Sequence, residues 1–330
     1  MLLLTKSVLV AMIGFDITVL LGFILIPILK KFKINQNLSI YLKDRHSEKK
    51  NTPTMGGILF VSSTLITFLL LIVFNKISLS YNLLIVLFIF FSYFFIGFLD
   101  DYLIIKRHNN DGLTEVEKLL LQVFIATIFF YLFLLADNEP LLWIHSLHIK
   151  CNIGWYYGLF ILFVLVASSN AVNLTDGLDG LAGGLSFIAF LTFGIISAAT
   201  GWLEGYEEIS LFCFTLSGSL LGFLVFNVNP AKIFMGDTGS LCLGATLGTI
   251  AILTRHELLL IVIGIVFVLE TLSCILQRYY YKLTHKRLFP MAPLHHTFEK
   301  LGWKERDIVK LFWIVGFLAS GIAIFYGVWL

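Results

Sequence analysis

Five aspartates stand at the edges of long apolar runs: Asp100 and Asp101 within Gly97–Tyr102, Asp176 and Asp179 within Asn170–Gly180, and Asp237 within Asn227–Ser240. Adjacent carboxylates beside an apolar helix are costly unless something compensates them. Two readings answer that cost. Either the helix simply ends in bulk water, or hard oxygen ligands hold magnesium, the cation that bridges phosphates. Two carboxylates ~6 Å apart repel by about 3 kcal/mol at an effective dielectric near 20. A cluster of them therefore calls for a divalent cation or for raised pKa values, and both point to function. The middle stretch adds the amides of Asn170 and Asn173 and the glycines Gly177 and Gly180, which let backbone approach a ligand closely. A plain turn needs none of these. Asp237 precedes a start rich in small residues, where backbone N–H groups favour anions; capping that helix is its other reading. Phe234 nearby reads as a platform for a base or as an interfacial anchor.

Two further stretches carry ionisable groups. Lys49-Lys50-Asn51-Thr52-Pro53-Thr54-Met55-Gly56-Gly57 joins cations to a helix-opening Pro and a Gly pair. Its charges serve either topology or phosphate. Met291–Glu299 holds the adjacent His295 and His296, suited to phosphate, metal or proton transfer, or to plain solvation. Asp16 and Glu270 fall inside apolar runs, where the expectation is a partner in the bundle interior.

The elements that must position these groups follow from composition. The chain has 330 residues, 58% hydrophobic and only 13% charged, with a mean hydropathy of +0.91. One soluble core cannot hide that much apolar surface, whereas lipid accepts it. Ten apolar runs lie near 4–28, 53–74, 82–99, 119–136, 155–173, 180–199, 209–227, 238–254, 257–281 and 308–329. Helices are expected, because the alternation of a barrel strand is absent. The fold class is thus an all-α polytopic membrane protein, with 1–330 as a single transmembrane domain. The first run reads as a span rather than a cleavable leader. The aspartates fall in the third, fifth and seventh loops. Seven Lys/Arg lie between 30 and 50 and six between 282 and 306, in the first and ninth loops. The even loops hold only Lys76, Lys150 and Arg255. The positive-inside rule puts the odd loops in the cytoplasm and both termini outside. The residues around Trp143–Ile149 alternate loosely, as a short external hairpin would. Cys151, Cys213, Cys242 and Cys274 are scattered and show neither metal nor disulfide spacing.

Taken in order, Thr52–Gly57, Gly97–Tyr102, Asn170–Gly180, Ala231–Ser240 and Ala292–His296 resemble the blocks of the phospho-N-acetylmuramoyl-pentapeptide transferases. These belong to the polyprenyl-phosphate N-acetylhexosamine-1-phosphate transferases. The resemblance implies a bundle of about ten transmembrane helices with both termini outside. It implies transfer of phospho-MurNAc-pentapeptide from UDP-MurNAc-pentapeptide to undecaprenyl phosphate, giving lipid I and UMP for peptidoglycan synthesis. The expected setting is the cytoplasmic face of the bacterial inner membrane, with Mg2+ as cofactor; the resemblance implies the bilayer and a second copy, as a homodimer, for partners, and no nucleic acid. Residue by residue, Asp237 resembles the magnesium-binding aspartate. Asp100 resembles the base that deprotonates the lipid phosphate, with Asp101 beside it. Asn173, Asp176 and Asp179 resemble cleft residues. Lys49 and Lys118 match phosphate-facing lysines, and Asn227, Phe234, Gly236 and Gln277 match nucleotide or cleft positions. His295 and His296 match the essential histidine motif. Three positions depart from the pattern: Thr297 stands for a third histidine, Ile104 for a basic residue with Lys106 and Arg107 nearby, and Asn51 for a glycine. Direct attack by the lipid phosphate and a covalent aspartyl route both fit these residues; the direct route is favoured, since an ionised phosphate is already a nucleophile. The rivals are a GlcNAc-1-phosphate transferase and, from another class, a secondary transporter, whose polar groups would sit near the bilayer midplane.

Overall fold

The computed structural model describes residues 2–32, 52–107, 112–144, 149–201 and 205–329. Lys49 and Asn51 lie outside the described residues. Helices dominate: α1 (Leu2–Lys31), α2 (Gly57–Val73), α3 (Tyr81–Arg107), α4 (Glu115–Leu135), α5 (Tyr156–Thr175), α6 (Leu181–Ala199), α7 (Tyr206–Asn227), α8 (Asp237–Leu253), α9 (Glu257–Ile263), α10 (Ile265–Thr284), α11 (Leu294–Lys300) and α12 (Glu305–Trp329). Each of the ten expected apolar runs contains a helix or a helix pair. Among the described residues seven helices are long and apolar enough to cross a membrane, and α9 with α10 makes an eighth if the pair is one span. Helices α2 and α8 have 17 residues each. At 1.5 Å per residue each is about 25 Å long, short of a ~30 Å hydrocarbon layer.

Three expectations are corrected. The run at 257–281 is not one rod: it bends by 83° between α9 and α10, at Gly264. Helix α3 continues to Arg107, so Asp100 and Asp101 sit inside a helix rather than in a loop. Lys106 and Arg107 in its last turn favour that extension by opposing the negative end of the helix dipole. Asp16 does not face the interior but is exposed on α1. The hairpin is present, with β1 (Leu141–Ile144) and β2 (Ile149–Asn152) antiparallel. Its cross-strand pair Trp143↔Lys150 places the Lys150 ammonium 4.1 Å from the indole centroid.

Helices α7 and α8 form the centre and are buried almost throughout. Helices α1 and α6 pack on α7, and α3 and α5 pack on α8. Small residues permit this. A Cβ on Gly244 would lie 2.2 Å from Ser168 O in α5, and one on Gly218 would lie 1.9 Å from Ala11 O in α1. Between helices in lipid, such close approach supplies the packing that water would otherwise drive.

Candidate active site

The site forms where α3, α4, α5 and α8 meet. Helix α8 begins at Asp237, after Gly236 in a left-handed conformation with φ +74°. A Cβ on Gly236 would fall 2.4 Å from Asp101 Oδ2. That carboxylate explains the local fold. Asp101 Oδ1 accepts from Asp237 N at 3.2 Å, and Oδ2 accepts from Thr238 N at 3.0 Å and Thr238 Oγ1 at 2.5 Å. Asp101 thus caps α8 from another helix, satisfying N–H groups that Gly236 has no side chain to reach. The approach is close because Gly97, one turn earlier, has no Cβ; one placed there would meet Asp237 O at 2.0 Å. The block at 53–57 docks beside it through backbone bonds, Phe234 N to Pro53 O at 2.8 Å, Gly56 N to Phe234 O at 2.8 Å and Gly57 N to Met235 O at 3.0 Å.

Asp237 Oδ2 and Asp100 Oδ2 each lie 3.0 Å from Lys118 Nζ. Helix α4 delivers that ammonium in its first turn, aimed by the capping box of Thr114 and Glu117. Asp100 Oδ1 also accepts from Leu113 N at 2.6 Å, and Asn173 Nδ2 donates to Asp237 Oδ1 at 2.8 Å and to Ser240 Oγ at 2.9 Å. Asp176 lies just past α5. Desolvation pushes it up to about 8, helped by the negative charges of Asp237, Asp101 and Asp179 and opposed by a hydrogen bond from the Gly236 N–H. One ammonium therefore faces several carboxylates. An arrangement that anionic raises proton affinity or draws in further positive charge.

Two sequence comparisons bear on the family. The profile of glycosyl transferase family 4 matches residues 83–255, and signature 1 of phospho-N-acetylmuramoyl-pentapeptide-transferase matches 49–61. The enzyme of that name from Bacillus pumilus (strain SAFR-032) is 44% identical over 318 residues, covering 96% of each chain. That from Bacillus mycoides (strain KBAB4) is 45% identical over 319 residues, covering 96% of this chain and 97% of its own. This chain belongs to the phospho-N-acetylmuramoyl-pentapeptide-transferase family.

Most of the residues matching the family pattern fall into two groups. Asp100, Asp237, Lys118 and Asn173 meet directly, with Asp176 electrostatically coupled to Asp237. Asp101, Asp179, Asn227 and Gln277 are engaged in holding backbone. Asp179 Oδ2 accepts from Ala231 N and Asn229 Nδ2, both at 3.1 Å. Asn227 accepts from Gly180 N at 3.1 Å and donates to Ile233 O at 2.9 Å, tying the fifth loop to the seventh. Gln277 Oε1 accepts from Leu288 N at 3.0 Å and Phe289 N at 2.9 Å, on the ninth loop. Phe234 is half-buried beside the docked 53–57 block. His295 is fully buried and meets His296 edge-on, centroids 4.2 Å apart; His296 Nδ1 meets Glu299 Oε2 at 2.6 Å. Thr297, where the family pattern has a third imidazole, donates its hydroxyl to Met291 O and so braces the loop. Near Ile104, Arg107 donates to Gly112 O at 2.9 Å, beside the Leu113 N–H that reaches Asp100.

Glu305 was not legible in the sequence. It opens α12, and its Oε1 accepts from Asp179 N at 2.7 Å while Oε2 accepts from Asn229 Nδ2 at 3.0 Å. Its only signal was an acidic first turn, which any surface helix can carry. It joins the fifth and seventh loops from the C-terminal helix. Glu305→Ala is expected to raise KM for the nucleotide sugar about tenfold, with kcat changed less than threefold, in a steady-state assay of UMP release. An unchanged KM would show that the loops hold their register without it.

Proposed function

We propose that this chain transfers phospho-MurNAc-pentapeptide from UDP-MurNAc-pentapeptide to undecaprenyl phosphate, releasing UMP and forming lipid I. The observation that carries the reading is the pair of carboxylates, Asp100 and Asp237, bridged by Lys118 at 3.0 Å to each. Such a site suits a pyrophosphate, which needs positive charge close by, and an acceptor phosphate, which needs a place for its proton. In this reading ten helical elements cross the inner membrane, α2 and α8 as short spans and α9–α10 as a bent one. Both termini lie outside and the cluster faces the cytoplasm, which agrees with the cationic odd loops.

The residues present fit a magnesium ion. Among the described residues no three metal-binding side chains already converge on a point; the donor set is nevertheless hard oxygen, and its negative charge exceeds that of its one ammonium. Asp237 would hold the ion, with Asp100 sharing its Lys118 and with the charge of Asp176 acting on the same place. When bound, magnesium offsets charge on the pyrophosphate oxygens. The protein's own groups do the rest. Lys118 pairs with phosphate oxygens once substrate competes for it. Asp100 Oδ accepts the proton of a singly ionised lipid phosphate. A lipid phosphate oxygen then attacks the β-phosphorus in line; the bond from that phosphorus to the bridging oxygen breaks, and the electron pair leaves with UMP. An apolar groove of 320 Å³ between α4 and α5, lined by Leu119, Leu159, Leu162, Phe163, Val166 and Ala167, begins one residue after Lys118. It supports an approach of the polyprenyl chain along the bundle side with its phosphate at the ammonium.

The test is UMP release from UDP-MurNAc-pentapeptide and undecaprenyl phosphate in detergent. Turnover is expected with magnesium, lost on adding EDTA and restored by excess magnesium. UDP-GlcNAc is expected to give none; turnover with UDP-GlcNAc alone would transfer the site to the other branch of the superfamily. EDTA-resistant turnover would remove magnesium from the reading.

A further inference from the structure

Glu270 sits in the second turn of α10, fully buried, in an apolar stretch where an ionisable side chain needs a partner. The partner is His295. Glu270 Oε1 accepts from His295 N at 3.1 Å, and Oε2 lies 3.1 Å from His295 Nδ1. The first contact has a local cause. Helix α11 starts after Pro293, which makes no side-chain capping bond. Its exposed N–H groups need an acceptor, and α10 supplies one. The bend at Gly264 turns α10 toward that end; a Cβ there would sit 2.9 Å from Leu260 O.

The second contact has a chemical consequence. Burial holds the His295 imidazole below the usual histidine range, so the ring is neutral near pH 7. A neutral imidazole facing a carboxylate puts its one proton on the nitrogen facing it. Nδ1 then carries the hydrogen and Nε2 keeps a lone pair. Nε2 is buried and, among the described residues, has no hydrogen-bond partner. It abuts the fifth loop: a Cβ added to Gly177 would lie 2.3 Å from it. Gly177 follows Asp176 directly.

We propose that Glu270 is a positioning residue for the transfer reaction, fixing the tautomer and orientation of His295 and, through that ring, the backbone beside Asp176. The role rests on the transferase reading for its kinetic consequence, though not for its structural one. Glutamine at 270 keeps the size of the side chain but presents an amide N–H as well as an oxygen. One face of His295 then meets a donor, and the imidazole proton shifts toward Nε2, against Gly177.

The experiment uses the full chain in detergent, with histidine labelled with nitrogen-15 and the His295 signals assigned by their loss in His295→Asn. The wild type is expected to show His295 as the neutral Nδ1–H tautomer. Glu270→Gln is expected to move it toward the Nε2–H pattern and to lower kcat ~10-fold or more, with KM for the nucleotide sugar within about threefold. A wild-type spectrum showing Nε2–H or a doubly protonated ring overturns the proposal without any variant. So does a Glu270→Gln enzyme whose His295 signals or kcat match the wild type. If the wild type turns over none of the proposed substrates, the functional reading fails, while the tautomer spectrum still decides the Glu270–His295 pair.

Discussion

Asp237→Asn is expected to lower UMP release at least ~10³-fold while leaving the chain folded. Asparagine matches aspartate in shape, and the cap on α8 comes from Asp101, which the change leaves in place. What goes is one negative charge at the point where Lys118 and Asn173 converge, 3.0 and 2.8 Å from the two oxygens. An amide is a poor ligand for a hard divalent cation and would turn an N–H toward a donor already there. The magnesium concentration for half-maximal rate should therefore rise along with the loss of kcat. Steady-state kinetics over a magnesium series, with the thermal midpoint in detergent as the check on folding, measures both. Turnover within tenfold of wild type would remove Asp237 from the chemistry.

Lys118→Met is expected to act in the opposite sense on the metal. Methionine keeps much of the apolar stem and deletes the ammonium between Asp100 and Asp237. Those carboxylates then face each other uncompensated, and their repulsion favours any cation that enters. Half-saturating magnesium should fall. The rate should fall too, by ~100-fold in kcat/KM, because the phosphates lose a fixed positive charge and Asp100, sharing a proton with its neighbour, becomes a poorer acceptor. The paired measurement separates the two variants: both are slow, but one needs more magnesium and the other less. A higher magnesium requirement in Lys118→Met would mean that the lysine does not compete for the metal's place.

Much of this site was legible before any coordinates. Asp100 and Asp237 lie 137 positions apart, yet their spacing from apolar runs put them on one side of the membrane, and they share Lys118. The short hairpin was readable from its alternation, although its strands centre a few residues either side of the expected stretch. The apolar runs marked every helix but α11, yet they did not show where α3 ends or that α9 and α10 part at Gly264. Hydropathy averages over about 19 residues, so it is insensitive both to a polar helical extension and to a single glycine at a bend.

Composition and local pattern alone marked the chain as a multi-pass membrane protein, concentrated Lys and Arg in alternate loops, and set its acidic groups at the ends of apolar runs. Those properties depend on hydrophobicity and sequence spacing, which a linear chain carries in full. The division of labour among the polar groups came only from packing. Asp101 is occupied by Thr238, 137 positions away, and Asp179 is reached by Glu305, 126 positions away. The burial of Glu270 against His295 likewise follows from how α10 lies on α11. A hydrogen bond acts over about 3 Å, and which groups come that close is decided by how helices with small residues at their contacts settle against one another.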